Sequence, residues 1–150
     1  MGKGERRSGS RRRAGAPTAA WHFIIARERA AVSRFNAAIE QTLQTHAPES
    51  ALRALQVALD ELLTNVIMHA GQAVGPIEVD MARTAQSLDA TVRYVADEFD
   101  PTTWQPAARS ASVATARIGG LGIALVRTLM DDFRYAYDDG RNVVRLRKRC

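Results

Sequence analysis

The sequence predicts an α+β fold, a two-layer sandwich with helices on one face of a mixed, mostly antiparallel sheet. Three observations carry this. Two helix-period stretches follow one another directly between residues 27 and 70, and two strand pairs close around short polar turns. The element order is strand, helix, helix, strand, strand, loop, helix, strand, strand, without the regular strand–helix alternation of a doubly wound parallel sheet. At 150 residues and 46% hydrophobic content, the chain has the size and apolar fraction of a single domain.

"WHFIIA" (21–26) is a short apolar run downstream of Pro17 and reads as the first strand. From Arg27 to about His46, Ala31, Phe35, Ala38, Ile39 and Thr42 recur at three- and four-residue spacing, which predicts a helix with a polar outer face. Pro48 breaks it. From Glu49 to Ala70 the stripe Leu52, Leu55, Leu59, Leu62, Leu63, Val66 and Ile67 predicts the central core helix. Beyond "GQAVGP", the runs 77–83 and 88–97 flank "TAQS" as an antiparallel hairpin. Residues 98–117 read as a polar loop too long for a mere connector, the kind that is either a lid or disordered. A third helix opens at the glycines of "RIGGLGIALV" and runs to about Met130, and two final strands surround the turn "DDGR".

The formal net charge of +5 invites a nucleic-acid reading. Lys3, Arg6, Arg7, Arg11, Arg12 and Arg13, set against Glu5, account for all of it. The rest of the chain is charge-balanced, so no direct nucleic-acid site is expected in the folded part. Residues 1–19 are expected to form a disordered basic tail and residues 20–150 the domain. "WHFIIA" is too short for the apolar segment of a secretory signal, and charged "RERA" follows at once. No window approaches the roughly 18 apolar residues of a bilayer span. A cytoplasmic protein that makes no membrane contact is expected. Cys150, the single cysteine, cannot form an intrachain disulfide, and no Cys/His cluster has zinc spacing.

Three constellations could carry chemistry. In "ALDELLTNVIMHA", Glu61 and Asn65 stand at i, i+4 on one side of the apolar stripe, with His69 one turn further. A carboxylate stacked on a carboxamide suits a base that orients a hydroxyl or water, and a neutral oxygen ligand for Mg²⁺; a hydrated helix face would show the same spacing. In "YVADEFDP", Asp97 at a strand end can accept a hydrogen bond from an exocyclic amine, or simply shape a turn. In "RIGGLGIALV", a helix N-terminus offers free N–H groups, and glycines let phosphate reach them; they equally allow close helix packing.

In this order, "ELLTNVIMHA", "VADEFDP" and "RIGGLGIALVRTLMDDFRYAYDDGRNVVRLRK" resemble the N box, the G1 region and the G2 region with closing hairpin of the GHKL (Bergerat-fold) ATPases. The likeness is specifically to the small bacterial anti-sigma factor serine kinases, and it runs essentially from Ala20 to Lys148. It implies the histidine-kinase-like ATPase fold with ATP and Mg²⁺ as cofactors. Asn65 would ligate the metal and Glu61 would be the catalytic general base. Asp97 would bind the adenine amino group, and Gly119, Gly120, Leu121 and Gly122 would frame the phosphates. Arg109 and Arg117 in the lid read either as phosphate partners or as solvated loop charges. The implied reaction phosphorylates a serine of a STAS-domain anti-sigma-factor antagonist. The same chain, commonly a homodimer, would otherwise sequester a sigma factor, with the first helix as an interaction surface. One departure stands out: the family carries a glycine two residues after the G1 aspartate, whereas Glu98, Phe99 and Asp100 follow Asp97 here. That departure sustains a second reading, a non-catalytic binding module of the same fold with weak or absent nucleotide binding.

Overall fold

The computed structural model describes residues 15–104 and 120–150. Strand β1 spans Ala19–Ile25, helix α1 Arg29–Leu43, helix α2 Glu49–His69, strands β2 and β3 Val74–Arg83 and Ser87–Val95, helix α3 Gly120–Leu129, and strands β4 and β5 Asp132–Asp138 and Arg141–Arg149. One five-stranded sheet has the order β1-β2-β3-β5-β4. Expected to be mostly antiparallel, it is antiparallel at every described pairing. After β3 the chain returns through α3 and β4, so β5 enters beside β3 running the opposite way.

Alternation along the strands sends Ile77, Val79 and Met81 of β2, Leu88, Ala90, Val92 and Tyr94 of β3, and Val144 and Leu146 of β5 into the core. Helix α2 lies on them through Leu55, Leu59, Leu62, Leu63 and Val66, none more than 2% exposed. Helix α1 closes over β1 with Val32, Phe35, Ile39 and Leu43, and Phe35 packs edge-on against Phe23 at 5.2 Å. Helix α3 lies along α2, seating Ile123 and Val126 in the same core. The opposite face of the sheet bears charge instead: Asp80 is held by His22 at 2.6 Å and by Arg93, and Arg147 forks onto Asp89 with both bonds at 2.8 Å. The hydrogen bond from His22, more than any other influence, holds the Asp80 carboxyl below its usual range.

Several boundaries differ from the sequence reading. Strand β1 starts at Ala19, because Thr18 and Ala19 already engage Arg83. Helix α1 starts at Arg29 rather than Arg27. The Arg27 guanidinium is committed to the Gly75, Val74 and Val95 carbonyls at 2.5, 3.2 and 2.8 Å, tying the exit of β1 to the ends of β2 and β3. Strand β2 reaches back to Val74, with a register shift between Val74 and Glu78 that takes in Gly75 (φ 72°) and Pro76. Strand β3 ends at Val95, so Asp97 lies on the turn beyond it.

The hairpin turns carry their expected chemistry. Thr84 Oγ1 accepts from the Gln86 and Ser87 amides at 3.2 and 3.0 Å across "TAQS". Between β4 and β5 only Asp139 (φ 49°) and Gly140 (φ 74°) separate the pair Asp138↔Arg141. Two successive positive φ values make the primed two-residue turn whose twist matches its strands.

Candidate functional site

Glu61 and Asn65 are half-buried on α2, one helical turn apart on the flank facing α3 rather than in the stripe that meets the sheet. Their row continues to His69, which is exposed at the last helical position. Among the described residues, no hydrogen bond occupies the head groups of Glu61 or Asn65.

The start of α3 comes unusually close to this row. A Cβ built on Gly122 would lie 2.5 Å from Glu61 Oε2, so the carboxylate occupies the space a side chain would fill. Any other residue there would push Glu61 aside. Gly120 and Leu121 fall in the first turn of α3, where backbone N–H groups lack helical partners and the helix end carries partial positive charge. Gly119 and the lid arginines Arg109 and Arg117 lie outside the described residues.

A second close approach stands at the far end of α2. Just past that helix, a Cβ on Gly71 would lie 2.6 Å from Asp97 Oδ2, and the Asp97 N–H donates to the Gly71 carbonyl at 2.9 Å. Asp97 is exposed and its carboxylate rests against bare glycine backbone. From Glu61 to His69 the helix advances about 12 Å at 1.5 Å per residue. Two carboxylates, each set against a glycine, thus stand along this stretch of α2 and its exit. Asp100, three residues on, is spent locally on the Thr102 amide and hydroxyl at 2.8 and 2.6 Å.

The structure adds residues that the sequence reading missed. Asn142 on β5 is fully buried and faces the Asp97 turn. Its Nδ2 donates to the Ala96 and Asp97 carbonyls at 3.3 and 3.1 Å, and its Oδ1 accepts from the Phe99 amide at 3.0 Å and the Tyr135 hydroxyl at 2.7 Å. Burial chiefly raises the Tyr135 pKa, with the Glu98 and Asp100 carboxylates adding to it, so the phenol stays protonated as a donor at neutral pH. Tyr94, paired with Asn142 across β3 and β5, is pushed up to about 12, mainly by burial. The available signal was alternation: in "GRNVVRL", Asn142 shares the inward phase of Val144 and Leu146. Arg127 of α3 donates to the Thr102 and Trp104 carbonyls at 3.0 and 2.8 Å, joining that helix to the segment after the turn.

Among the described residues, no group of three or more His, Cys, Asp or Glu could hold a metal by itself. Beside Glu61, the half-buried Asn65 carboxamide offers a neutral hard oxygen of the kind Mg²⁺ accepts alongside substrate and water ligands. Among the described residues, no helix is long and apolar enough to cross a membrane.

The family model for the histidine kinase-like ATPase domain matches residues 25–148. The serine-protein kinase RsbW of Listeria monocytogenes serotype 4a is 35% identical over 100 residues, covering 63% of this chain and 64% of that protein. The Bacillus licheniformis serine-protein kinase RsbW is 33% identical over 95 residues, 59% of each chain. The match thus spans less than two thirds of these relatives. In the crystal structure of the RsbU and RsbW domains of a Mycobacterium tuberculosis protein, the similar region has a TM-score of 0.62 at 19% identity and covers 89% of this chain and 33% of that one, a likeness of fold. The family match extends from the last residue of β1 to the penultimate residue of β5 and includes both glycine contacts, so this chain belongs to the histidine kinase-like ATPase domain family, the GHKL ATPases.

Proposed function

We propose that this chain is an ATP-dependent protein serine kinase that also acts as an anti-sigma factor, phosphorylating a serine of a STAS-domain antagonist. The observation that carries the reading is the pair of close contacts, Gly122 on Glu61 past the middle of α2 and Gly71 on Asp97 just beyond its C-terminal end. Asp97 accepts from the adenine amino group, while the amides of Gly119, Gly120, Leu121 and Gly122 and the positive end of α3 receive the phosphates. Asn65 offers its carboxamide oxygen to Mg²⁺, which neutralises phosphate charge when bound. Glu61 takes the proton of the serine hydroxyl as that oxygen bonds to the γ-phosphorus and ADP leaves. In this reading the protein works in the cytoplasm as a homodimer and holds a sigma factor through a surface that includes α1.

The test is calorimetric titration with MgATP, followed by transfer of labelled γ-phosphate to a STAS-domain partner. Micromolar binding and phosphoserine formation are expected; absence of transfer to every STAS partner of the source genome sinks the kinase reading. A second reading, a non-catalytic binding module that binds nucleotide weakly or not at all, draws on the glycine-free turn 97–101, and failure of the titration itself would favour it.

Gly122 gives a prediction that separates chemistry from stability. Gly122→Ala favours the helix by up to about 1 kcal/mol, and the group it meets is a flexible carboxylate end that can swing away. Thermal stability is expected to hold or rise while phosphoryl transfer falls on the order of tenfold, because the base is displaced from its working position. A melt and an initial-rate assay on the same preparation decide it; equal loss of both would mean that the contact serves packing alone.

A further inference from the structure

The turn after β3 is short and lacks glycine, yet it is held more tightly than its length suggests. Beyond Val95 the ladder of β3 has ended, and the polar groups of residues 96–99 need other partners. One side chain supplies most of them. Asn142 has four hydrogen-bonding positions in this geometry, two donors and two acceptor lone pairs, and all four are used: Ala96 O, Asp97 O, Phe99 N–H and Tyr135 O–H. The orientation of the amide follows from chemistry, since a backbone N–H can only donate and so Oδ1 must face Phe99. Tyr135 then gives Oδ1 its second donor.

Asp97 is in consequence pinned on both sides of its Cα. Its N–H goes to Gly71 and its carbonyl to Asn142, which leaves only its side-chain torsions free, and these are confined where the carboxylate lies against Gly71. No other amino acid reproduces the clamp. Asp could accept from Phe99 and Tyr135 but could not donate to the two carbonyls, Leu could do neither, and Gln would overreach.

We propose that Asn142, locked by Tyr135, is a specificity-determining positioning residue: by fixing the 96–99 turn it aims the Asp97 carboxylate so that the site takes purine nucleotides with a 6-amino group over those with a 6-oxo group. The inference rests on the nucleotide-binding reading above. An ionised carboxylate only accepts hydrogen bonds, so it rewards the adenine amine and repels the guanine or hypoxanthine oxygen, but only while its oxygens stay at the base edge. A turn free to shift would keep the carboxylate and lose the discrimination.

The experiment titrates the full chain with MgATP, MgGTP and MgITP, for the wild type, Asn142→Asp and Tyr135→Phe, with a thermal melt of each. The wild type is expected to prefer ATP. Asn142→Asp, which keeps shape and both acceptors but removes both donors, is expected to weaken ATP binding about tenfold and GTP binding much less, collapsing the ratio. Tyr135→Phe, at the far side of the clamp, is expected to shift the ratio in the same direction by a few-fold. Where Asn142→Asp fails to fold, Tyr135→Phe decides alone. An unchanged ATP-to-GTP ratio, even with lowered melting temperature, overturns the proposal and leaves Asn142 a structural amide. A wild type that binds none of the three nucleotides overturns the nucleotide reading itself, and the two failures are told apart by that first curve.

Discussion

Replacing Glu61 with glutamine is expected to lower phosphoryl transfer to serine by about 10²- to 10⁴-fold, the usual contribution of a positioned general base. Glutamine matches glutamate in shape, so the close fit against Gly122 survives and α2 keeps its packing against α3. What disappears is the capacity to take a proton from the hydroxyl as its oxygen attacks. Affinity for MgATP should change little, because in the proposed reading Glu61 meets the phosphoryl group and Asp97 the base. Single-turnover transfer from labelled ATP, alongside calorimetric titration, separates the two effects. Transfer at the wild-type rate would remove Glu61 from the mechanism. Loss of nucleotide binding in parallel would assign it to the ATP site instead.

Asp97→Asn is the second large effect, expected at about 10- to 100-fold in the ATP dissociation constant. A hydrogen bond to a charged group contributes about 1.5–3 kcal/mol, and the amide loses the charge while keeping the volume that rests on Gly71. The backbone pins to Gly71 and Asn142 do not involve the substituted atoms, so folding stability should stay near the wild-type value. Isothermal titration at constant Mg²⁺ reads the affinity, and a parallel melt checks the fold. A dissociation constant within threefold of wild type would show that Asp97 does not meet the base.

Some of this was legible in the sequence and some was not, for identifiable reasons. Helix α2 could be read because seven apolar residues keep one phase over about four turns, and the same phase set Glu61 and Asn65 to one side. The start of β2 could not, because Gly75 and Pro76 read as a loop until the register shift and the Arg27 clamp join Val74 to the sheet. Nor could the first turn of α1, where the spacing continued through Arg27 but its side chain was engaged 47 and 48 residues away. The glycines of α3 were recognisable as a group, while the particular task of Gly122, leaving room for Glu61, needed the packing of two helices. Gly71 stood only as the first residue of the loop "GQAVGP". Asn142 lies 45 residues from Asp97, and no local pattern joins a β5 asparagine to the turn it holds.

The two-residue turn at Asp139 and Gly140 has a consequence beyond closing a hairpin. It counts residues. With Asp138 fixed opposite Arg141, Asn142 arrives on the inward phase beside Tyr94 and Tyr137. Adding or deleting a single residue at that turn would bring Arg141 or Val143 to the same place, since a slip of one reverses every side chain on a strand. Natural length variation of one residue in this hairpin would therefore cost the core Val144 and Leu146 along with the hold on the Asp97 turn. Among related chains, insertions at this turn should occur in pairs, or together with a changed residue at the position that holds the Asp97 turn.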